Sequence, residues 1–301
     1  MIPRWTYSLA LLLTFAPWSA WGRDIHVNNV SGDDHSSGSV SISVPMQGPV
    51  RTICRALAIA EKGDRIVLAN TGMAYRESIG LSASKHCGFE AQPFVIEGNG
   101  AVLDGSRPIP YIAWEHYRDN IFRFQPKRLG YQQLFLGGRP AKRVHLDPQA
   151  TDVPELQPLE WCVQRGAIFL AIERDKAPAD YDLSYAALHV GITLHHVHDV
   201  AISNLVIQGF QLDGINAHDG TRECVVSQVV VRGNGRSGIC TAGCSQLEVH
   251  GCIIGDNGTA QVRTEAVSAT SIVDSDVLEN TAPAFVREGG LLFVDGQRRE
   301  P

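Results

Sequence analysis

The amino-acid sequence predicts an all-β solenoid of parallel coils, and three observations carry that expectation. Between residues 198 and 290 the segments VAISNLVIQGFQLDGIN, CVVSQVVVRGNGRSGIC, LEVHGCIIGDNGTAQVR and TSIVDSDVLENTAPAFV align with one another. Val200, Cys224, Leu247 and Thr270 share a column, at steps of 24, 23 and 23 residues. Ile202, Val226, Val249 and Ile272 form a second column, Leu205, Val229, Cys252 and Ser275 a third, and Ile207, Val231, Ile254 and Val277 a fourth. Each unit reads as short alternating strands between Gly, Asn and Ser turns, too small to bury its own apolar face unless its neighbours stack on it. The residue types are the second observation: Val, Ile, Leu and Cys columns without a helical period exclude leucine-rich, ankyrin and tetratricopeptide repeats. The third is a turn position that carries Phe210, Asn234, Asn257 and Asn280. One asparagine per coil can hydrogen-bond the turn backbone of its neighbours, so a structural ladder facing inward is expected. An inward Asn257 also removes the Asn257-Gly-Thr259 sequon as a glycosylation site.

The chain opens with Arg4, an apolar run from Leu9 to Ala16, and the small residues Ala20 and Gly22. That run is too short to span a bilayer and has the form of a secretory signal peptide over residues 1–22, cleaved near Gly22. A secreted or periplasmic protein with no membrane span is expected. Glycine at 29 of 301 residues and charged residues at 19% suit a turn-rich β fold. The net charge of −6 with scattered Lys and Arg disfavours nucleic acid as a partner. Seven cysteines leave at least one unpaired. Cys224 and Cys252 lie in inward columns and read as packed thiols, while Cys54 with Cys87, or Cys240 with Cys244, are the candidate bridges. No CxxC pair has zinc spacing.

Taken in order, residues 23–106 hold an N-terminal cap and the first coils. Thr52 to Glu61 reads as a short amphipathic helix stopped by Lys62-Gly63-Asp64, followed by a strand from Arg65 to Ala69. Gly32-Asp33-Asp34, Pro49, Thr52, Ala56-Leu57, Gly63-Asp64, Leu68, Tyr75 and Glu77 together resemble the N-terminal start of the right-handed parallel β-helix proteins of the pectate-lyase-like superfamily. The resemblance implies a right-handed coil with the helix capping its open end, where strand edges and core need cover. Pro93 to Gly105 reads as a strand pair around a tight Gly-Asn-Gly turn. Residues 107–185, richer in Pro, aromatic and charged residues, read as an inserted subdomain of antiparallel hairpins able to wall one side of a groove. Gly137-Gly138 reads as a hairpin turn. Coils resume over 186–296, and a polar tail, 297–301, ends the chain.

Alternation assigns the faces of the third strand in each coil. Ile215, Ile239, Val262 and Phe285 point inward, so Asn216, Cys240, Arg263 and Val286, then His218, Ala242, Glu265 and Glu288, point outward. Coils stack ~4.8 Å apart, which puts His218 and Glu265 roughly 10 Å apart across small Ala242. Such a face suits removal of a proton from C5 of a uronate, a weak carbon acid that needs a base, a cation and an acid. His218 is the expected base, Arg263 and Arg236 the clamp on the substrate carboxylate, and Glu265 with Glu288 the acid or metal-binding carboxylates. Asp213, Asn216 and Asp219 are expected to contact substrate. Asp213-Gly214-Ile215-Asn216-Ala217-His218-Asp219 is similar to the Gly-Ile-Asp-Pro-His-Asp stretch of mannuronan C5-epimerases, with Asn216-Ala217 in place of Asp-Pro.

The expected function is therefore an exported β-helix that acts on a polysaccharide, preferably an acidic one, by lyase or epimerase chemistry. Glycoside hydrolysis by Glu265 and Glu288 is one alternative. A glycan-binding or surface module without catalysis is another, because the outward columns of any soluble solenoid are polar by default. His195, His196 and His198 offer two readings, a metal site and, preferred, an exposed turn, with His195 on the face opposite the other two and no acidic partner fixed nearby. Calcium at Asn28, Asp33 and Asp34 is a candidate cofactor, although a full ligand spacing is lacking.

Overall fold

A computed structural model describes residues 22–127, 130–147 and 149–300; the expected signal peptide lies almost wholly outside them. The chain forms a right-handed parallel β-helix. The first, second and fourth aligned columns of the sequence are ladders in the structure. Val200 pairs with Cys224, Cys224 with Leu247 and Leu247 with Thr270, while Ile207, Val231, Ile254 and Val277 follow one another on the second wall. The third wall stacks Ile79–Ser82, Ile192–His195, Asp213–His218, Ser237–Thr241, and the leading parts of Ala260–Val273 and Phe285–Val294. One continuous core runs down the axis, because every coil contributes branched aliphatic side chains to the same stripe.

The cap is a helix over Ile53–Ile59, shorter than the expected span to Glu61. Asp64 explains the early stop: its carboxylate accepts the Glu61 N–H, and Ala60 is already extended. Thr52 caps the helix by accepting from the Arg55 N–H. Glu77 accepts the Ile53 and Cys54 N–H groups at 2.9 and 2.8 Å, so donors left unpaired at a helix start are satisfied. Ile53, Ala56 and Leu57 are buried over the first coil. Asp34 accepts from the Arg51 and Thr52 N–H groups, Asp33 from His35, and Asn28 from Val30 and Ser31. The three residues named for calcium thus use their oxygens to hold turns, each in its own local network.

Phe94–Asp104 is one long strand, kinked where Asn99 and Gly100 adopt φ of 50° and 78°. Between this strand and the resumption of the coils lie two four-stranded antiparallel sheets with apolar clusters of their own. Gly137 and Gly138 turn the hairpin that joins Leu134–Leu136 to Arg139–Pro140. The insert lies against the turns that precede the third wall: a Cβ on Gly235 would meet the Tyr131 carbonyl at 2.1 Å, and one on Gly258 would meet the Gln133 side chain at 3.0 Å. At the far end, Gln297–Arg298 folds back antiparallel onto Phe293–Val294, so part of the expected polar tail is a hairpin strand.

The asparagine ladder forms, but over fewer rungs than expected. Asn234 Oδ1 accepts the Phe210 N–H, and Asn257 Oδ1 accepts both the N–H and the side-chain amide of Asn234. Asn234 and Asn257 are wholly buried. Asn280 is exposed and pairs with Asp256 instead, while Gln261 Oε1 takes the N–H and side-chain amide of Asn257. The ladder closes from within its own coil.

None of the seven cysteines is bridged. Cys87 is buried against the Ala83 carbonyl and Cys54 is exposed at the helix start. Cys240 is buried beside Arg236 while Cys244 sits in an exposed turn, so neither candidate pair converges.

Candidate active face

The outward columns of the third wall carry the polar side chains. Cross-strand register places Asn216, Cys240, Arg263 and Val286 in one column, and Glu265 beside Glu288 in the next. Ser82, His195 and His218 occupy the same outward column on the earlier coils. His218 and Glu265 are separated by the coil that carries Ala242, as alternation predicted.

Charge pairing differs from the expectation. Arg236 donates to Asp213 at 3.0 and 2.6 Å, and its other nitrogen donates to Glu265 at 3.2 Å. Arg263 donates to Glu288 at 2.7 Å and to Thr259 Oγ1 at 3.2 Å. Burial opposes the charge of Arg236, but the Asp213 carboxylate more than offsets it and the guanidinium pKa stands above its ordinary value. Both arginines named as a clamp are therefore already engaged by protein carboxylates. The reason is electrostatic: two glutamates in register on adjacent strands repel unless each has a counter-ion.

Asp213 is wholly buried, and besides Arg236 it accepts from Asn216 at 2.7 Å and from the Ser237 hydroxyl. Asp213 positions Arg236 from below and is itself braced by Asn216. Cys240 lies beneath Arg236, and burial pushes its thiol up to about 12. Asp219 does not stand over the glutamates. Its φ of 59° ends the strand and turns its carboxylate back to His218 Nδ1, at 2.7 Å.

His195 was assigned to an exposed turn, yet it pairs in register with His218, with ring centroids 5.0 Å apart. The signal was present in the sequence, because Ile192 to His195 repeats the spacing of Ile215 to His218. The acidic partners missing from the histidine run are Asp219, 3.4 Å from His195 Nε2, and Asp199, 2.8 Å from His198 Nδ1. Ser237 and Thr259, which brace the two arginines or their partners, carried no sequence signal beyond ordinary turn composition.

Residues 186–297 match the family model described as the right handed beta helix region. Fold and match together define the class as a right-handed β-helix repeat protein. No curated protein matches the chain. Among solved structures, one described as a glycoside hydrolase is similar with a TM-score of 0.61 at 10% identity, over 84% of this chain and 73% of that one. A complex of XylC with xylose (TM-score 0.44, 13% identity, 90% and 69% coverage) and the GH136 lacto-N-biosidase of Eubacterium ramulus (TM-score 0.47, 12% identity, 84% and 41%) are more distant in shape. At these identities the likeness is one of fold. No helix among the described residues is long and apolar enough to cross a membrane.

Proposed function

We propose that the protein is an exported carbohydrate-active β-helix that cleaves a glycosidic bond with Glu265 and Glu288. The observation that carries this reading is their register: they are cross-strand partners on one outward face. Adjacent coils bring side chains of one column about 5 Å apart, the separation at which paired carboxyls hydrolyse glycosides with retention. Glu265, fixed by Arg236, is the nucleophile; Glu288, more exposed and at the edge of the face, is the acid. In the first step the Glu265 carboxylate bonds to the anomeric carbon, the glycosidic C–O bond breaks, and the leaving oxygen takes the proton of Glu288. Water then attacks the same carbon, gives its proton to Glu288 and frees Glu265. Arg263 releases Glu288 for this role and keeps its contact with Thr259. The fold likeness to a glycoside hydrolase supports the choice of substrate class as fold-level analogy.

Proton abstraction by a lyase or epimerase is less well supported, since Arg236 is held by the buried Asp213 carboxylate and His218 is turned to Asp219. One experiment separates the readings. Purified protein is incubated with neutral and acidic glycans, and products are followed by reducing-end assay, by ultraviolet absorbance for unsaturated ends and by NMR of the anomeric proton. Hydrolysis with retention, lost in Glu265→Gln and Glu288→Gln, is the expected result. Unsaturated ends would establish the lyase instead. Saturable binding without product would reduce the protein to a glycan-binding module.

A further inference from the structure

A second cluster on the third wall lies apart from the glutamates and has a different donor chemistry. One ring nitrogen each of His195 and His218 and an Asp219 carboxylate oxygen all lie within 4.8 Å of one another. His195 and His218 are held side by side by strand register, so their spacing is set by the backbone. Asp219 joins them through its left-handed backbone, a conformation that aspartate tolerates better than most residues. The turn beyond is tied down: Ser245 Oγ accepts the Gly220 and Thr221 N–H groups at 3.2 Å, and the Thr221 hydroxyl donates to the His218 carbonyl at 3.3 Å. In the next coil Gly243, with φ of 65°, passes so close that a Cβ there would meet the Asp219 nitrogen at 3.1 Å.

We infer that His195, His218 and Asp219 form a binding site for a divalent transition metal ion, zinc by preference. Zinc bonds to nitrogen and oxygen at about 2.0–2.2 Å in a tetrahedron, which places its donor atoms roughly 3.3–3.5 Å apart. The His195 to Asp219 separation is 3.4 Å, and the His218 to Asp219 separation of 2.7 Å opens to that value with a small side-chain rotation. Two imidazoles and one carboxylate suit zinc, copper, nickel or iron and not calcium, which takes six or more oxygens. Three protein donors on an exposed face leave a fourth position open to water or a ligand oxygen. The inference is independent of the reaction assigned to the glutamates.

Titration calorimetry of tag-free, chelator-treated protein with zinc chloride tests it. One equivalent is expected, with affinity falling at least ~10-fold in His195→Asn, His218→Ala and Asp219→Asn, the minimum effect that loss of even an outer-shell partner has in zinc sites. His198→Ala, in the separate cluster with Asp199 and Glu223, should leave that affinity unchanged. Should His218→Ala misfold by circular dichroism, His195→Asn, on a more exposed side chain, carries the test. Excess calcium should not displace the zinc. Absence of binding in the wild type, equal affinity in all three variants, or loss of binding in His198→Ala would each overturn the assignment.

Discussion

Removing Arg236 tests whether the charged face rests on a buried counter-ion. The Asp213 side chain is 0% exposed, and Arg236 makes two hydrogen bonds to it at 3.0 and 2.6 Å. Arg236→Ala leaves that carboxylate with only Asn216 and Ser237 as donors. Breaking one side of a buried ion pair costs about 3–5 kcal/mol. Two donors remain and Arg236 itself is partly exposed, so the lower end, about 3 kcal/mol, is expected here. At about 2–4 °C per kcal/mol for a chain of this size, the midpoint should fall by roughly 6–12 °C. Thermal unfolding followed by circular dichroism at pH 7 reads the shift. Adding Asp213→Asn to Arg236→Ala removes the orphaned charge and should recover about half of the loss or more. A drop of under about 1 kcal/mol in Arg236→Ala, or a double variant less stable than the single one, would refute the argument that Asp213 is a buried charge in need of its partner.

Three further outcomes are expected. Asn257→Ala leaves the buried Asn234 N–H without its acceptor and should cost about 2–3 kcal/mol, whereas Asn280→Ala, on an exposed rung, should cost less than about 1 kcal/mol, both measured by urea midpoints. In a thiol titration of native protein at pH 8, Cys244 should be the single fast reactant; Cys54 is exposed too, but burial of its sulfur and its Glu77 neighbour push it up to about 12 and keep it a thiol, so two fast thiols would contradict that reading. His86 is held below its ordinary range by burial, its Nε2 donating to the Leu57 carbonyl and its Nδ1 accepting the Ser82 N–H. The unfolded chain therefore takes up that proton first, and stability should fall as pH drops below about 6.5. His86→Gln should narrow the difference in midpoint between pH 7 and pH 5, and an unchanged difference would show that other groups carry it.

The coils were legible because one column type repeats once per coil, and stacking leaves an in-register side chain nowhere else to go. The same logic placed Glu265 beside Glu288 and His218 two coils away. It failed wherever the backbone leaves the extended region. Asp219 and His196, with φ of 59° and 55°, sit at strand ends where alternation no longer predicts a face. It failed also at the last turn, where Gln261 replaces the expected rung of Asn280. Side-chain pairing was the least legible level. Whether an arginine faces a substrate or a neighbouring carboxylate depends on which of two outward columns it bends toward, and nothing in a period of 23 or 24 residues encodes that choice.

That choice sets the charge pattern of the outward face. A flat parallel sheet repeats its columns every ~4.8 Å, so like residues on successive coils are forced into contact. Two glutamates in one column would repel, and Arg236 and Arg263 each bend toward one of them. Two histidines in the same column pack with their rings tilted by 48° instead, and Asp219 turns its carboxylate back toward both. Ala242 separates the two solutions with a coil that carries neither charge nor bulk. On the hydrolase reading proposed above, the pairing that stabilises the glutamate column also keeps Arg236 on Asp213 and Glu265 rather than open to a substrate carboxylate.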